Sequence, residues 1–385
     1  MSRPYRHTTP VAQKSATGQV AAVYAQMETD FLLADGPLMS LSPAPGVLAG
    51  TWALLREAEI VGTAPRADKE AVASAVSLAN RCPFCTEAHA LLAHGAGDHD
   101  LAEAARAGRT PDGRQHADLL AWAAATRSPG SPLLAEPPFP PALAPEFVGT
   151  ALVTHFINRM VTSLLDENAL LPSALRRSRH VRRAAALAVG HAARRNPGAG
   201  AGLTVLEGPA PAGPVPAWAG EGPVGPAYLA LRAAASAGGD LLGEAGRAAV
   251  LDAVAAWDGG HPPLGGDPVG AALADAEVPP GERPAARLAL LAALAPYRIT
   301  ETDVAAWRAA RRAADGHGPD QGTGTDQGAA TDGAAATDHA AGADRAAERG
   351  RADGELTRVL AFGAITATVR VESWITAGAR SGSPA

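Results

Sequence analysis

The chain has 385 residues, with 33 basic against 39 acidic side chains and a formal net charge of −6. That balance argues against nucleic-acid binding driven by overall charge. At 47% hydrophobic and 4% aromatic the chain can bury sizeable cores, which must be aliphatic and closely packed, and its two cysteines exclude a disulfide-scaffolded secreted protein.

Periodicity is helical almost throughout the first 170 residues. Val20, Val23, Tyr24, Met27 and Phe31 recur at three- and four-residue spacing after Thr17, a candidate N-cap. A second helix is predicted over 46–61, around Trp52, Leu54 and Leu55. Pro65 sits where a first-turn proline belongs, and Val72, Val76 and Ala79 carry an apolar face onward to Asn80. Further helical patterns follow at 98–107, 112–127 and 143–166, and no stretch alternates with period two, so the fold class is all-α. Seven arginines and no acid between Arg176 and Arg195 read as a solvated helix.

Residues 196–225 are rich in Gly and Pro and read as a linker, with helical patterns resuming at Pro226. From Ala313 to Glu355 there is no Val, Ile, Leu, Met or aromatic residue, so a disordered loop is expected at about 313–355. Leu356 to Ile375 again reads as a buried helix. The domains expected are therefore 1–195, carrying the site, and 226–385. Placing Ala75-Val76 over Ala253-Val254 aligns the two halves, as does placing EFVGTALVTHFINRM over RVLAFGAITATVR. The second half then reads as a degenerate repeat, with Gly260, Pro263 and Asp267 where the first has Cys82, Cys85 and His89.

Both cysteines lie in one segment, LANRCPFCTEAHALLAHG. Pro83 favours a helix starting at Cys82, which puts both sulfurs in the first turn. There the free backbone N–H groups and the helix dipole stabilise a thiolate. Cys85 and His89 are four residues apart, on one face, so the imidazole can reach the sulfur or a water beside it. Two thiols at this spacing can close a disulfide without large backbone movement. Glu70, on the preceding helix, is positioned to orient His89 or take a thiol proton through water. A zinc site from Cys82, Cys85 and His89, completed by His94 or His99, is the competing reading, but a second CxxC or HxxxH is absent.

The pattern Glu70–x11–Cys82–x2–Cys85–x3–His89, on consecutive helices, resembles the alkylhydroperoxidase (AhpD-like) branch of the carboxymuconolactone decarboxylase superfamily. The resemblance covers residues 15–170 and implies an all-α bundle with thiol peroxidase activity. By the same resemblance Glu70, Cys82, Cys85 and His89 form the site, with Cys85 peroxidatic and Cys82 resolving. It further implies a peroxide substrate, an unidentified thiol or protein reductant, no metal or organic cofactor, and a homo-oligomer. Some members carry a histidine inside the CxxC; here Phe84 stands there, so no extra base is available. No apolar run of about 18 residues occurs, so no membrane span is expected. MSRPYRHTTPVAQK lacks the apolar segment of a signal peptide, and a cytoplasmic location with reduced thiols is expected.

Overall fold

The computed structural model describes residues 4–31, 36–166, 190, 194–263, 265–314 and 334–381. Among them the regular structure is thirteen α-helices and short 3-10 turns, with no strand beyond a single bridge between Tyr5 and Leu165. The all-α expectation holds. The arginine-rich stretch 176–195 lies almost wholly outside the described residues.

Helix α1 (Gly18–Phe31) packs on α2 (Pro45–Leu55), which runs into a π-helical turn, Arg56–Ile60. Apolar residues surround α2 on all sides, and it is buried from Val47 to Leu55. Helix α3 (Arg66–Ala79) begins one residue later than expected, because Pro65 occupies the N-cap position. Asn80 and Arg81 then reverse the chain. Arg81 takes a left-handed φ of 57°, and Cys82 N–H donates to the Ser77 carbonyl at 2.9 Å. That turn lays α4 (Pro83–Ala96) back along α3. Helix α4 starts with Pro83 in its first turn and ends at Gly97, whose φ of 111° favours glycine.

Asp98 caps α5 (His99–Ala107), accepting from Leu101 N–H at 3.0 Å. After α6 (Arg114–Ala125) comes α7 (Ala144–Leu164), buried on nearly every face. The second half contributes α8 (Val224–Ser236), α9 (Glu244–Ala255), α10 (Pro268–Asp275), α11 (Arg283–Leu294), α12 (Glu301–Ala314) and α13 (Ala334–Ser381). Helix α8 packs on α2, and α13 packs on both α7 and α11. One apolar cluster therefore runs through both halves, from Val20 to Ile375.

Two expectations need correction. The Gly/Pro-rich stretch 196–225 is a packed strap, not a free linker. The buried Glu57 carboxylate accepts from the N–H groups of Gly200 and Gly202, each at 2.7 Å. Gln19 and Gln26 donate to the carbonyls of Val205 and Ala201, and Val205 and Ala219 are buried. Glycine serves at position 202 because a Cβ would meet the Glu57 carboxylate at 2.7 Å.

The expected loop at 313–355 is also shorter than composition suggested. Helix α12 reaches Ala314, residues 315–333 lie outside the described set, and α13 is already helical from Ala334. Lack of apolar side chains removes a burial drive, but Ala, Arg and Glu are good helix formers. The packed part of α13 supplies the nucleus from which such a helix extends. Ion pairs fasten the junction, Arg311 to Glu355 at 2.9 Å and Arg308 to Asp353 at 3.5 Å, and Asp353 also accepts from Thr9 N–H.

Candidate active site

The site forms where α3, α4, α7 and the π turn after α2 meet. All four residues expected from sequence, Glu70, Cys82, Cys85 and His89, come together here. Glu70 lies on the face of α3 that α4 covers and is wholly buried. One oxygen accepts from Nε of Arg66, one turn earlier, at 2.6 Å. The other lies 2.8 Å from His89 Nδ1.

Sequence reasoning missed Glu59. Its Oε1 lies 3.3 Å from the same His89 nitrogen, while its Oε2 is buried with no hydrogen-bond partner. The signal was legible. Arg56, Glu57 and Glu59 interrupt an apolar helix, and all three are buried. The π turn that carries them is a device often found at functional sites. It sends Glu57 to the strap and Glu59 to the site. Arg66 was overlooked too, although a basic residue four before Glu70 is placed to pair with it.

These charges set one another. Burial opposes ionisation of Glu70, but Arg66 and His89 outweigh it and hold the carboxyl down at about 2. Burial would likewise lower His89; Glu59 and Glu70 overcome this and raise the imidazole to about 10. The ring is therefore an imidazolium at neutral pH, its Nδ1–H held between two carboxylates. Its Nε2 has no hydrogen-bond partner among the described residues. Glu59 is pushed up by burial and then by the charge of Glu70, which makes it the carboxyl of the pair that retains a proton more readily.

Cys82 is the N-cap residue of α4, and Cys85 lies in its first turn. Both are free thiols and buried. Burial disfavours a thiolate at either, and two negative sulfurs in contact disfavour it further. The pair can hold one charge. Hydrogen bonds from the Cys85 side chain and N–H, with Thr162 and the nearby His89 charge, outweigh burial at Cys82 and lower its thiol. Burial and the charge on Cys82 push the Cys85 thiol well up, with Asn158 opposing.

Behind the sulfurs runs a neutral network. Asn158 donates to Ser77 Oγ at 3.0 Å and accepts from Asn80 Nδ2 at 2.8 Å. Asn80 Nδ2 also donates to His155 Nδ1, leaving His155 Nε2 to donate to Thr126 Oγ1 at 2.8 Å. Burial and the charges of Arg159 and Arg127 keep His155 neutral, its pKa well below the usual value.

The competing zinc set does not assemble. His94 is engaged with His99 and Glu103, each at 3.0 Å. Among the described residues the ligating atoms that do converge are those of Glu59, Glu70 and His89, within 4.8 Å of one another. The proton that the two carboxylates hold on His89 Nδ1 competes with a cation there.

The fold and site define a helical protein with a buried CxxC pair at a helix start, beside a histidine held by two carboxylates. Comparison with known proteins makes the class specific. Residues 47–127 match the carboxymuconolactone decarboxylase family. Over 304 residues the chain is 39% identical to the Mycobacterium tuberculosis (strain ATCC 25618 / H37Rv) protein named alkyl hydroperoxide reductase Rv2159c, spanning 78% of this chain and 86% of the relative. The chain belongs to this family, in its AhpD-like branch, and is an enzyme. No solved structure matches it. Among the described residues no helix is long and apolar enough to cross a membrane.

Proposed function

We propose that this enzyme reduces hydroperoxides through a dithiol–disulfide cycle of Cys82 and Cys85, with Glu70 and His89 as proton relay. The observation that carries the reading is the contact of the two thiols next to an imidazolium fixed by Glu70 and Glu59. The printed name of the mycobacterial relative supports the substrate class. One thiolate attacks the terminal peroxide oxygen: an S–O bond forms, the O–O bond breaks, and the leaving alkoxide takes the Nε2 proton of His89. The second thiol then attacks the sulfenic acid, forming the S–S bond and releasing water. The dithiol has lost two electrons, which an external thiol or protein dithiol returns.

Two orders of attack are open to a pair that shares one charge, and a separate observation favours each. Hydrogen bonding draws the thiolate to Cys82, whereas the i,i+4 spacing to His89, with the family resemblance, favours Cys85. Sulfenic-acid trapping separates them. If Cys82 attacks, Cys85→Ser accumulates a trapped sulfenate and Cys82→Ser does not; the reverse pattern assigns Cys85.

The cycle itself is tested by intact mass and free-thiol count on the reduced protein before and after one equivalent of an organic hydroperoxide. Rapid loss of both thiols and of two hydrogens is expected, slowed in His89→Ala and, above neutral pH, in Glu70→Gln. Survival of both thiols refutes the reading. We further read the second half as a repeat that has lost its site and the enzyme as a homo-oligomer acting in the cytoplasm, which sizing by light scattering and cell fractionation test.

A further inference from the structure

Beside Asn158 lies a small cavity with room for about one water-sized sphere, part polar and part apolar, walled by Asn80, Arg127, Asn158, Arg159, His261 and Leu294 among others. Two arginines are buried in its wall. Arg159 is 3% exposed and Arg127 8%. Neither has an ion-pair partner among the described residues, although every other buried cation there has a carboxylate: Arg56 pairs with Asp30 and Glu57, Lys69 with Glu146.

Backbone carbonyls satisfy most of their donors. Arg127 donates through Nε and Nη2 to the Gly259 carbonyl and through Nη1 to that of Ala79. Arg159 donates through Nε to Ala293 and through Nη1 to His155, and its Nη2 has no hydrogen-bond partner among the described residues. Both guanidiniums lie against the Trp257 ring, at 5.3 and 5.6 Å from its centroid. Carbonyls and a ring face are neutral, so two like charges remain uncompensated.

Burial of an unpaired charge is costly, and the strain registers in both groups. Burial, with Arg81, draws Arg127 down to about 10; burial, with Arg127, draws Arg159 down to about 9. At neutral pH both nevertheless stay charged. Two further polar atoms at this end of the fold, His261 Nδ1 and the Tyr297 hydroxyl, are buried without partners, in rings 6.1 Å apart.

We propose that this cavity is an anion site, taking one monatomic anion, a halide ion, against Arg159 Nη2 and within the field of Arg127. The ligand class follows from what is left free. With Nε and Nη1 already engaged, Arg159 offers one edge rather than a bidentate fork, so a single acceptor atom fits where a phosphate would not be matched. Nothing in this site depends on the cysteines being redox-active.

The test is thermal unfolding of the full chain titrated with sodium chloride and, separately, with sodium formate, at an ionic strength held constant with the sodium salt of a bulky sulfonate buffer. A saturable rise in Tm of about 2 °C or more at tenfold half-saturation is expected in the wild type and not in Arg159→Gln. Saturation by chloride and not by formate is expected, and saturation by formate at lower concentration overturns the halide assignment. No anion-specific rise, or the same rise in Arg159→Gln, overturns the proposal. Should Arg159→Gln not fold, anomalous scattering from wild-type crystals grown in bromide decides it. A peak between Arg159 and Arg127 supports the site, and its absence overturns it.

Discussion

Substituting Glu70 by Gln removes one charge and keeps the shape. Glu70 and Glu59 approach the same His89 nitrogen, at 2.8 and 3.3 Å, and together lift the ring from 6.5 to about 10. That gap corresponds to about 5 kcal/mol of preference for the protonated ring. The carboxylates must also offset the burial that lowers the ring, so, shared evenly, each supplies at least half of that gap; Glu70→Gln gives up about 2 kcal/mol or more and brings His89 into titration closer to neutral pH. Above neutral pH fewer rings then carry the proton that the leaving alkoxide needs, and the thiolate there loses part of its neighbouring positive charge. Removing the imidazole altogether, as in His89→Ala, costs roughly a hundredfold or more in rate. The assay is free-thiol loss after rapid mixing with a hydroperoxide, followed from about pH 5 to pH 10. Glu70→Gln should be affected little at or below pH 7 and increasingly above it, its alkaline limb falling at lower pH than in the wild type. If its rate and pH profile match those of the wild type, with the fold intact by circular dichroism, the relay reasoning is refuted.

His89 also makes stability depend on pH. Its pKa is raised on folding, so its contribution is complete below 6.5 and is lost as the pH climbs toward about 10. The difference in Tm between wild type and His89→Gln should accordingly shrink across that window; a constant difference contradicts it. Glu146 accepts from Thr63 and Ala64 N–H and pairs with the buried Lys69 at 2.9 Å. Glu146→Ala should cost about 3–5 kcal/mol in denaturant unfolding, because a buried ammonium is left alone. Gly50 faces α8 so closely that a Cβ would sit 2.6 Å from Leu231 Cα. Gly50→Ala should destabilise by about 1–3 kcal/mol, and an unchanged Tm would mean the two helices can part without cost.

Much of the site was readable because its chemistry is local. Pro83, the CxxC pair and His89 occupy a single helix, and helix spacing alone puts them on neighbouring positions. Glu70 needed one tertiary fact, that Asn80 and Arg81 reverse the chain, and the resemblance supplied it. Glu59 and Arg66 were harder. The position of Glu59 depends on a π turn, whose extra residue shifts which side chain faces α4, and a regular period cannot anticipate that. The strap at 196–225 was misjudged for a related reason. Its composition is that of a linker, but a buried carboxylate on another element, Glu57, holds it down. In the arginine pair at 127 and 159 the residues are ordinary helix-end and mid-helix cations in sequence, and only packing against the Gly259 loop and α11 reveals that among the described residues no acid reaches them.

The placement of α7 bears on how the protein is made. This helix is walled on one side by α3, near the start of the chain, and on another by α13, at its end. Leu356, the first buried large apolar side chain of α13, lies 192 residues beyond Leu164 (356 − 164). At roughly 5–20 residues per second, about 10–40 s of synthesis separate the two. During that interval the helix that carries Asn158 and Thr162 lacks one of its walls. A nascent chain therefore meets its surroundings with that apolar face of α7 uncovered, while the α3 and α4 side that carries the dithiol has long been synthesised.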